Sequence, residues 1–156
     1  MSGTPYTVRA AQTTDIPAIV EAWHAMRLEA SLNDDELVPD WHPQLTLFLQ
    51  QRLDQGSAAI WLAVQGERVL GTTLVLLKDD YPFCLFAPGF YGFIGCVYTV
   101  PTARRQGIAT LLVQRAVGWA REHGAHQVRL LPTPASQALY ERFGFGRVED
   151  LQLTLY

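Results

Sequence analysis

The segment Val97-Tyr-Thr-Val-Pro-Thr-Ala-Arg-Arg-Gln-Gly-Ile-Ala-Thr-Leu-Leu112 passes from an apolar, β-rich run through a short Pro/Arg/Gly loop straight into a helical pattern. The first turn of a helix has N–H groups without intrahelical partners and lies at the positive end of the helix dipole. A loop whose amides converge there is an anion site, and phosphates are its usual guests. Gly107 lets an anion approach the backbone closely, Ala109 is nearly as small, and Arg104 and Arg105 bring positive charge. The plainer reading, that Gly107 only eases packing where strand meets helix, stays open on these residues alone.

Upstream, residues 91–100 read as a long apolar strand containing Gly92 and Gly95, which signals a bulge or a close approach by another backbone or a ligand. Residues 58–64 and 68–78 read as two strands joined by the hairpin signal Gln65-Gly66-Glu67. Asp79-Asp80-Tyr81-Pro82 reads as a turn, and Pro88-Gly89 breaks residues 83–90, which take no assignment. At the start, residues 6–10 alternate as a strand, and Thr13-Thr-Asp-Ile-Pro17 opens a helix carrying Ile16, Ile19, Val20, Trp23, Met26 and Arg27 at steps of three and four. After the acidic loop Asn33-Asp-Asp-Glu36, a second helix over 43–53 has Leu45, Phe48, Leu49 and Leu53 on one stripe.

Downstream, a helix over 107–123 stops at Gly124, and residues 127–131 form a short strand. Thr133 caps a helix that begins at Pro134 and runs to about Phe143, and residues 147–155 read as a last strand. The order βααβββαβαβ defines an α/β fold on a mixed sheet, read as one domain over residues 1–156.

Composition narrows the function classes. The chain is 49% hydrophobic and 17% charged, a globular balance. Residues 1–80 hold eleven acids and five bases, a balance of −6, whereas residues 81–156 hold four acids and seven bases, a balance of +3. No apolar stretch is long enough to span a membrane and no secretory leader is visible, so a cytoplasmic location is the expectation. Cys84 and Cys96 have no metal or redox spacing, and the four histidines form no zinc pattern, so no metal is expected. An acidic pI near 5.7, with no run of more than two bases, argues against nucleic-acid binding.

Arg104-Arg-Gln-Gly107-Ile-Ala109 fits R-x-x-G-x-A and resembles the acetyl-CoA signature of the GCN5-related N-acetyltransferases. Val97-Tyr-Thr-Val-Pro101 before it and Leu111-Leu112 after it resemble that family too. So do Ala138-Leu-Tyr-Glu-Arg-Phe-Gly-Phe145, against its L-Y-x-x-x-G-F motif, and the opening Tyr6-Thr-Val-Arg-Ala-Ala…Asp15. The resemblance implies a central mixed sheet flanked by about four helices and splayed between the fourth and fifth strands, with acetyl-CoA in the opening. The backbone of Val97, Tyr98 and Thr99 would then pair with the pantetheine arm. Amides of Gln106, Gly107, Ala109 and Thr110 would hold the pyrophosphate, with Arg104 and Arg105 beside it. Thr133 and Ser136 stand where the family usually has an anchoring Asn and a small Ala. Pro132 and Pro134 suit a splay, because each lacks a ladder donor.

The family transfers acetyl directly to a primary amine. Tyr140 matches the tyrosine that serves the departing thiolate, although it also suits simple packing against the pantetheine. A strand amide near Cys96 or Val97, freed by a bulge near Gly95, would meet the developing oxyanion. No acid lies in residues 91–100, so a general base would come from Glu29, Asp79 or Asp80, each of which also reads as an ordinary surface acid. Trp23, His24, Arg27, Trp41 and His42 fall where relatives close over the acceptor, and Asp34-Asp-Glu36 suits a cationic one. The expected partners are acetyl-CoA and a cationic amine, with no membrane, and the resemblance leaves room for a homodimer. Two other readings stay open here: a CoA-binding sensor or regulatory domain without catalysis, and a structural protein with a vestigial cofactor site.

Overall fold

A computed structural model describes residues 5–31, 34–80 and 89–155. Strand β1 (Thr7–Ala10) is followed by helices α1 (Ile16–Glu29) and α2 (Trp41–Asp54), and then by the meander β2 (Ala58–Gln65), β3 (Arg68–Asp79) and β4 (Phe90–Thr99). Helix α3 (Ile108–Glu122), strand β5 (Val128–Leu130) and helix α4 (Gln137–Arg142) complete the regular elements. The sheet has the order β1-β2-β3-β4-β5, antiparallel through β4 and parallel between β4 and β5. Among the described residues, no helix is long and apolar enough to cross a membrane.

The apolar strands are buried on both faces, which is why they read as near-continuous hydrophobic runs. Ile60, Leu62 and Leu74 pack on one face against Ile19, Val20 and Trp23 of α1 and Leu49 of α2. Val75 and Ile94 pack on the other against Val113, Ala116 and Ala120 of α3. Helix α3 lies close to the sheet because two strand positions lack a side chain. A Cβ on Gly92 would sit 2.9 Å from the Ala120 Cβ, and one on Gly71 would sit 2.8 Å from an Ile108 methyl.

Two features of the sheet create the site. Pairing of β4 with β5 runs from Gly92↔Val128 to Ile94↔Leu130 and then stops, so the strands part beyond Ile94. The β3–β4 register jumps from Leu74↔Gly95 to Thr72↔Tyr98, which places Cys96 and Val97 opposite Thr73 alone. This bulge is one residue past Gly95, and Cys96 itself takes the left-handed conformation at φ +52°.

Some expectations need correction. Residues 147–155 are not a strand: they have no ladder partner among the described residues, and Leu151, Leu153 and Leu155 are exposed. Local alternation predicts an extended chain, but a strand also needs a neighbour for its backbone. The last helix starts at Gln137, because residues 134–136 form a turn in which Ser136 and Gln137 N–H both donate to the Thr133 carbonyl. Cys84 and the Tyr81-Pro82 part of the expected turn lie outside the described residues.

Candidate active site

The gap between β4 and β5 is the mouth of a cavity of about 1210 Å³. Its walls are β4 from Ile94 onward, the loop into α3 with the first turn of that helix, and the segment from Leu130 through α4. Of the twelve residues expected at the cofactor, eleven line this one cavity: Val97, Tyr98, Thr99, Arg104, Arg105, Gly107, Ala109, Thr110, Thr133, Ser136 and Tyr140. Gln106 is the exception among them; its carbonyl instead accepts a hydrogen bond from the hydroxyl of Tyr6, the residue before β1, at 3.1 Å.

The loop has the shape of an anion cradle. Arg105 (φ +65°) and Gly107 (φ +78°) are both left-handed, a backbone pattern that turns successive N–H groups inward. Gly107 is the N-cap of α3, and no side chain caps the first-turn amides. A Cβ at Gly107 would meet nothing within 4 Å, so the space beside it is open. Arg104, Arg105 and Arg142 line the cavity against one acid, Glu141, which bonds Gln137 at 2.7 Å. Thr99 also lines the cavity, and its hydroxyl is buried without a hydrogen-bond partner. These residues fit a polyanionic cofactor with a polar, strand-like arm.

The loop is held from outside as well. Arg104 donates through Nε to the Thr99 carbonyl at 3.0 Å and through its other arm to Glu29 of α1. The Tyr98 hydroxyl donates to the second Glu29 oxygen at 3.3 Å. Burial, and then the Glu29 charge, push the Tyr98 phenol above its ordinary value. Glu29 therefore sits behind the cradle as an ion-pair partner.

The bulge has its own support, which sequence reasoning missed. Trp23 Nε1 donates to the Thr72 hydroxyl at 3.0 Å, and that hydroxyl donates to the Cys96 carbonyl at 3.0 Å. Thr72 is fully buried. The only hint in the sequence is a pair of hydroxyl residues, Thr72-Thr73, inside an apolar strand. Beside the bulge, burial pushes the Cys96 thiol up to about 12. Tyr140 is 7% exposed and meets Phe145 edge-on at 5.9 Å. Burial raises its phenol above the ordinary value, with the Ser136 hydroxyl opposing. Thr133 and Ser136 bond one another, hydroxyl to hydroxyl at 3.0 Å, and so fix the turn before α4.

The residues expected at the acceptor are not brought together. Trp23 belongs to the core. Arg27 pairs with Glu36 at 4.0 Å, and His24 with Asp34 at 2.8 Å. Asp80 lies at the far end of β3, 3.1 Å from Arg129 and 3.8 Å from His126. From α1, Met26 reaches the cavity wall. No group of three or more metal-ligating side chains occurs among the described residues.

Residues 21–145 match the model of the acetyltransferase (GNAT) family, and the chain belongs to that family. It is an N-acetyltransferase, as its relatives indicate. It is 27% identical over 148 residues to the aminoglycoside N(6')-acetyltransferase type 1 of Klebsiella aerogenes, covering 93% of this chain and 92% of that one. The fold matches a structure described as "predicted acetyltransferase with acetyl-CoA" from Clostridium acetobutylicum, with a TM-score of 0.87, 26% identity and 96% of each chain covered. A GCN5-related N-acetyltransferase from Ralstonia eutropha JMP134 shares the fold at a TM-score of 0.86 and 23% identity, over 97% of this chain and 99% of that one.

Proposed function

We propose that this enzyme, a single domain over residues 1–156, transfers the acetyl group of acetyl-CoA directly to a primary amine of a small molecule or protein, with a cationic acceptor preferred. The observation that carries the reading is the cavity itself, which joins the α3 cradle to the β4 bulge and Tyr140 in one space. When bound, acetyl-CoA supplies an activated acyl carbon and a good leaving group.

The chain's residues divide the remaining work. The uncapped amides at Gly107, Ala109 and Thr110 and the side chains of Arg104 and Arg105 hold the pyrophosphate. The β4 backbone at Val97–Thr99 hydrogen-bonds the pantetheine arm as a neighbouring strand would. Thr133 and Ser136 hold the opposite wall. The bulge turns an amide at Cys96 or Val97 toward the acyl oxygen, where it meets the charge that develops. Tyr140 keeps its proton at neutral pH and donates it to the sulfur as the C–S bond breaks; the nitrogen, now bonded to the acyl carbon, gives up one proton that restores the phenol, so CoA leaves as the thiol.

Cys96 supports direct transfer. A thiol pushed up to about 12 stays protonated at neutral pH and is a poor nucleophile, so it does not relay the acetyl group. Glu29 and Asp80 are each held by an arginine, Asp79 is an exposed residue at the end of β3, and β4 carries no acid; in this reading the reacting amine enters in its free form. The activity named for the Klebsiella relative and the acidic Asp34-Asp-Glu36 segment support a cationic acceptor. The test is thiol release from acetyl-CoA across a panel of aminoglycosides, polyamines and lysine peptides. Saturable turnover with at least one amine class is expected; acetyl-CoA binding without turnover on any of them overturns the catalytic reading.

A further inference from the structure

A second cavity, of about 380 Å³, lies at the other end of α3 from the cradle. Ile108 lines the catalytic cavity and Trp119 lines this one, about 16 Å further along a helix that rises about 1.5 Å per residue. Its apolar lining comes from Ala58 and Ile60 of β2 and Leu53 of α2, and its size falls in the range of small-molecule sites. One wall is aromatic. The Trp119 and His123 rings stack at 4.0 Å, and His123 Nδ1 meets the Trp119 carbonyl at 2.8 Å. A carbonyl only accepts, so Nδ1 carries a proton, and Nε2 of the neutral ring is an acceptor.

The charge around this cavity is one-sided. Asp54 is the one acid in the lining, which has no lysine or arginine, and Asp54 has no ion-pair partner among the described residues. The bases nearby are engaged elsewhere. Arg9 pairs with Asp15 at 2.8 Å, Arg52 lies over the Phe48 ring at 5.2 Å, and Arg121 lines a different groove, with Val128. Helices α2 and α3 both end at the cavity, which brings the negative ends of two helix dipoles to it. An aromatic wall, an unpaired carboxylate and two helix C-termini attract a cation, and the apolar lining favours one that carries hydrocarbon.

We infer that this cavity binds an organic ammonium ion with a short alkyl chain, at a site separate from that of the amine that accepts the acetyl group. The ammonium head meets Asp54 and the Trp119–His123 wall, and the chain lies against Ala58, Ile60 and Leu53. A neutral alcohol of the same length has the apolar contacts without the charge, and an anion meets only repulsion.

The test is a titration of the isotope-labelled 156-residue chain with n-butylammonium chloride, without acetyl-CoA and at constant ionic strength, followed by nuclear magnetic resonance. The Trp119 indole and His123 ring signals should shift saturably, with a Kd of about 1 mM. n-Butanol should bind at least about 10-fold more weakly. Asp54→Asn, a change at an exposed residue, should weaken n-butylammonium by about 5-fold, and Trp119→Leu by about 10-fold. If Trp119→Leu loosens the packing of α3, the alcohol control and Asp54→Asn still decide. A Trp119 signal unmoved up to about 50 mM, equal affinity for n-butanol, or wild-type affinity in Asp54→Asn overturns the inference. Shifts confined to the catalytic cavity overturn it as well. Turnover does not enter the outcome, so the acetyl-transfer reading stands or falls separately.

Discussion

The two walls of the cavity are built differently. The β4–α3 wall belongs to a ten-residue strand and a fifteen-residue helix, and four long-range contacts tie it down: Tyr6 to Gln106, Glu29 to Arg104, Glu29 to Tyr98, and Trp23 through Thr72 to Cys96. The opposite wall has a three-residue strand, a six-residue helix and a turn fixed by its own Thr133 and Ser136 hydroxyls. A site that must place amides within hydrogen-bond distance of a polyanion and an acyl oxygen needs its donors on the rigid side. The lighter wall holds Tyr140, buried and packed edge-on against Phe145.

The difference can be broken from the rigid side first. Gly107→Glu fills the open space beside the cradle with a negative charge, and we predict a Kd for acetyl-CoA at least about 100-fold higher by calorimetry. Tyr140→Phe on the lighter wall should lower kcat by about 100-fold while acetyl-CoA affinity moves by less than about 3-fold. A change confined to affinity would make Tyr140 a packing residue. Thr72→Val removes the support of the bulge without touching the cavity. It should lower kcat by about 10-fold at nearly constant KM, and Thr72→Ser should restore most of the loss.

Cys96→Ala should have the smallest effect, leaving kcat within about 3-fold of wild type. Its pH behaviour gives a further check. A thiol held at about 12 in the fold stabilises the fold fully below the ordinary thiol value, and that contribution is lost as pH rises toward 12. The Tm of wild type should therefore fall more steeply above pH 9 than that of Cys96→Ala.

Much of the rigid wall was legible in the sequence because its information is local. A strand, a loop with Gly107 at the helix start and two arginines lie within sixteen consecutive residues, which suits an anion site, and the family resemblance chose that reading over a tight strand–helix junction. The family resemblance added the pantetheine strand and Tyr140. The supports were not legible, because each joins residues far apart: Glu29 and Arg104 are 75 positions from one another, and Trp23 and Thr72 are 49. The bulge expected near Gly95 falls at Cys96 and Val97, and its support by Thr72 from β3 was not legible. Residues 147–155 failed as a strand for a related reason: alternation specifies the chain's own shape and not its neighbour.

Initial-rate kinetics, with acetyl-CoA and the best amine varied together, test the central claim of direct transfer most directly. Transfer within one cavity holding both substrates predicts double-reciprocal lines that intersect. Parallel lines, the mark of an acyl-enzyme formed before the amine binds, would contradict it.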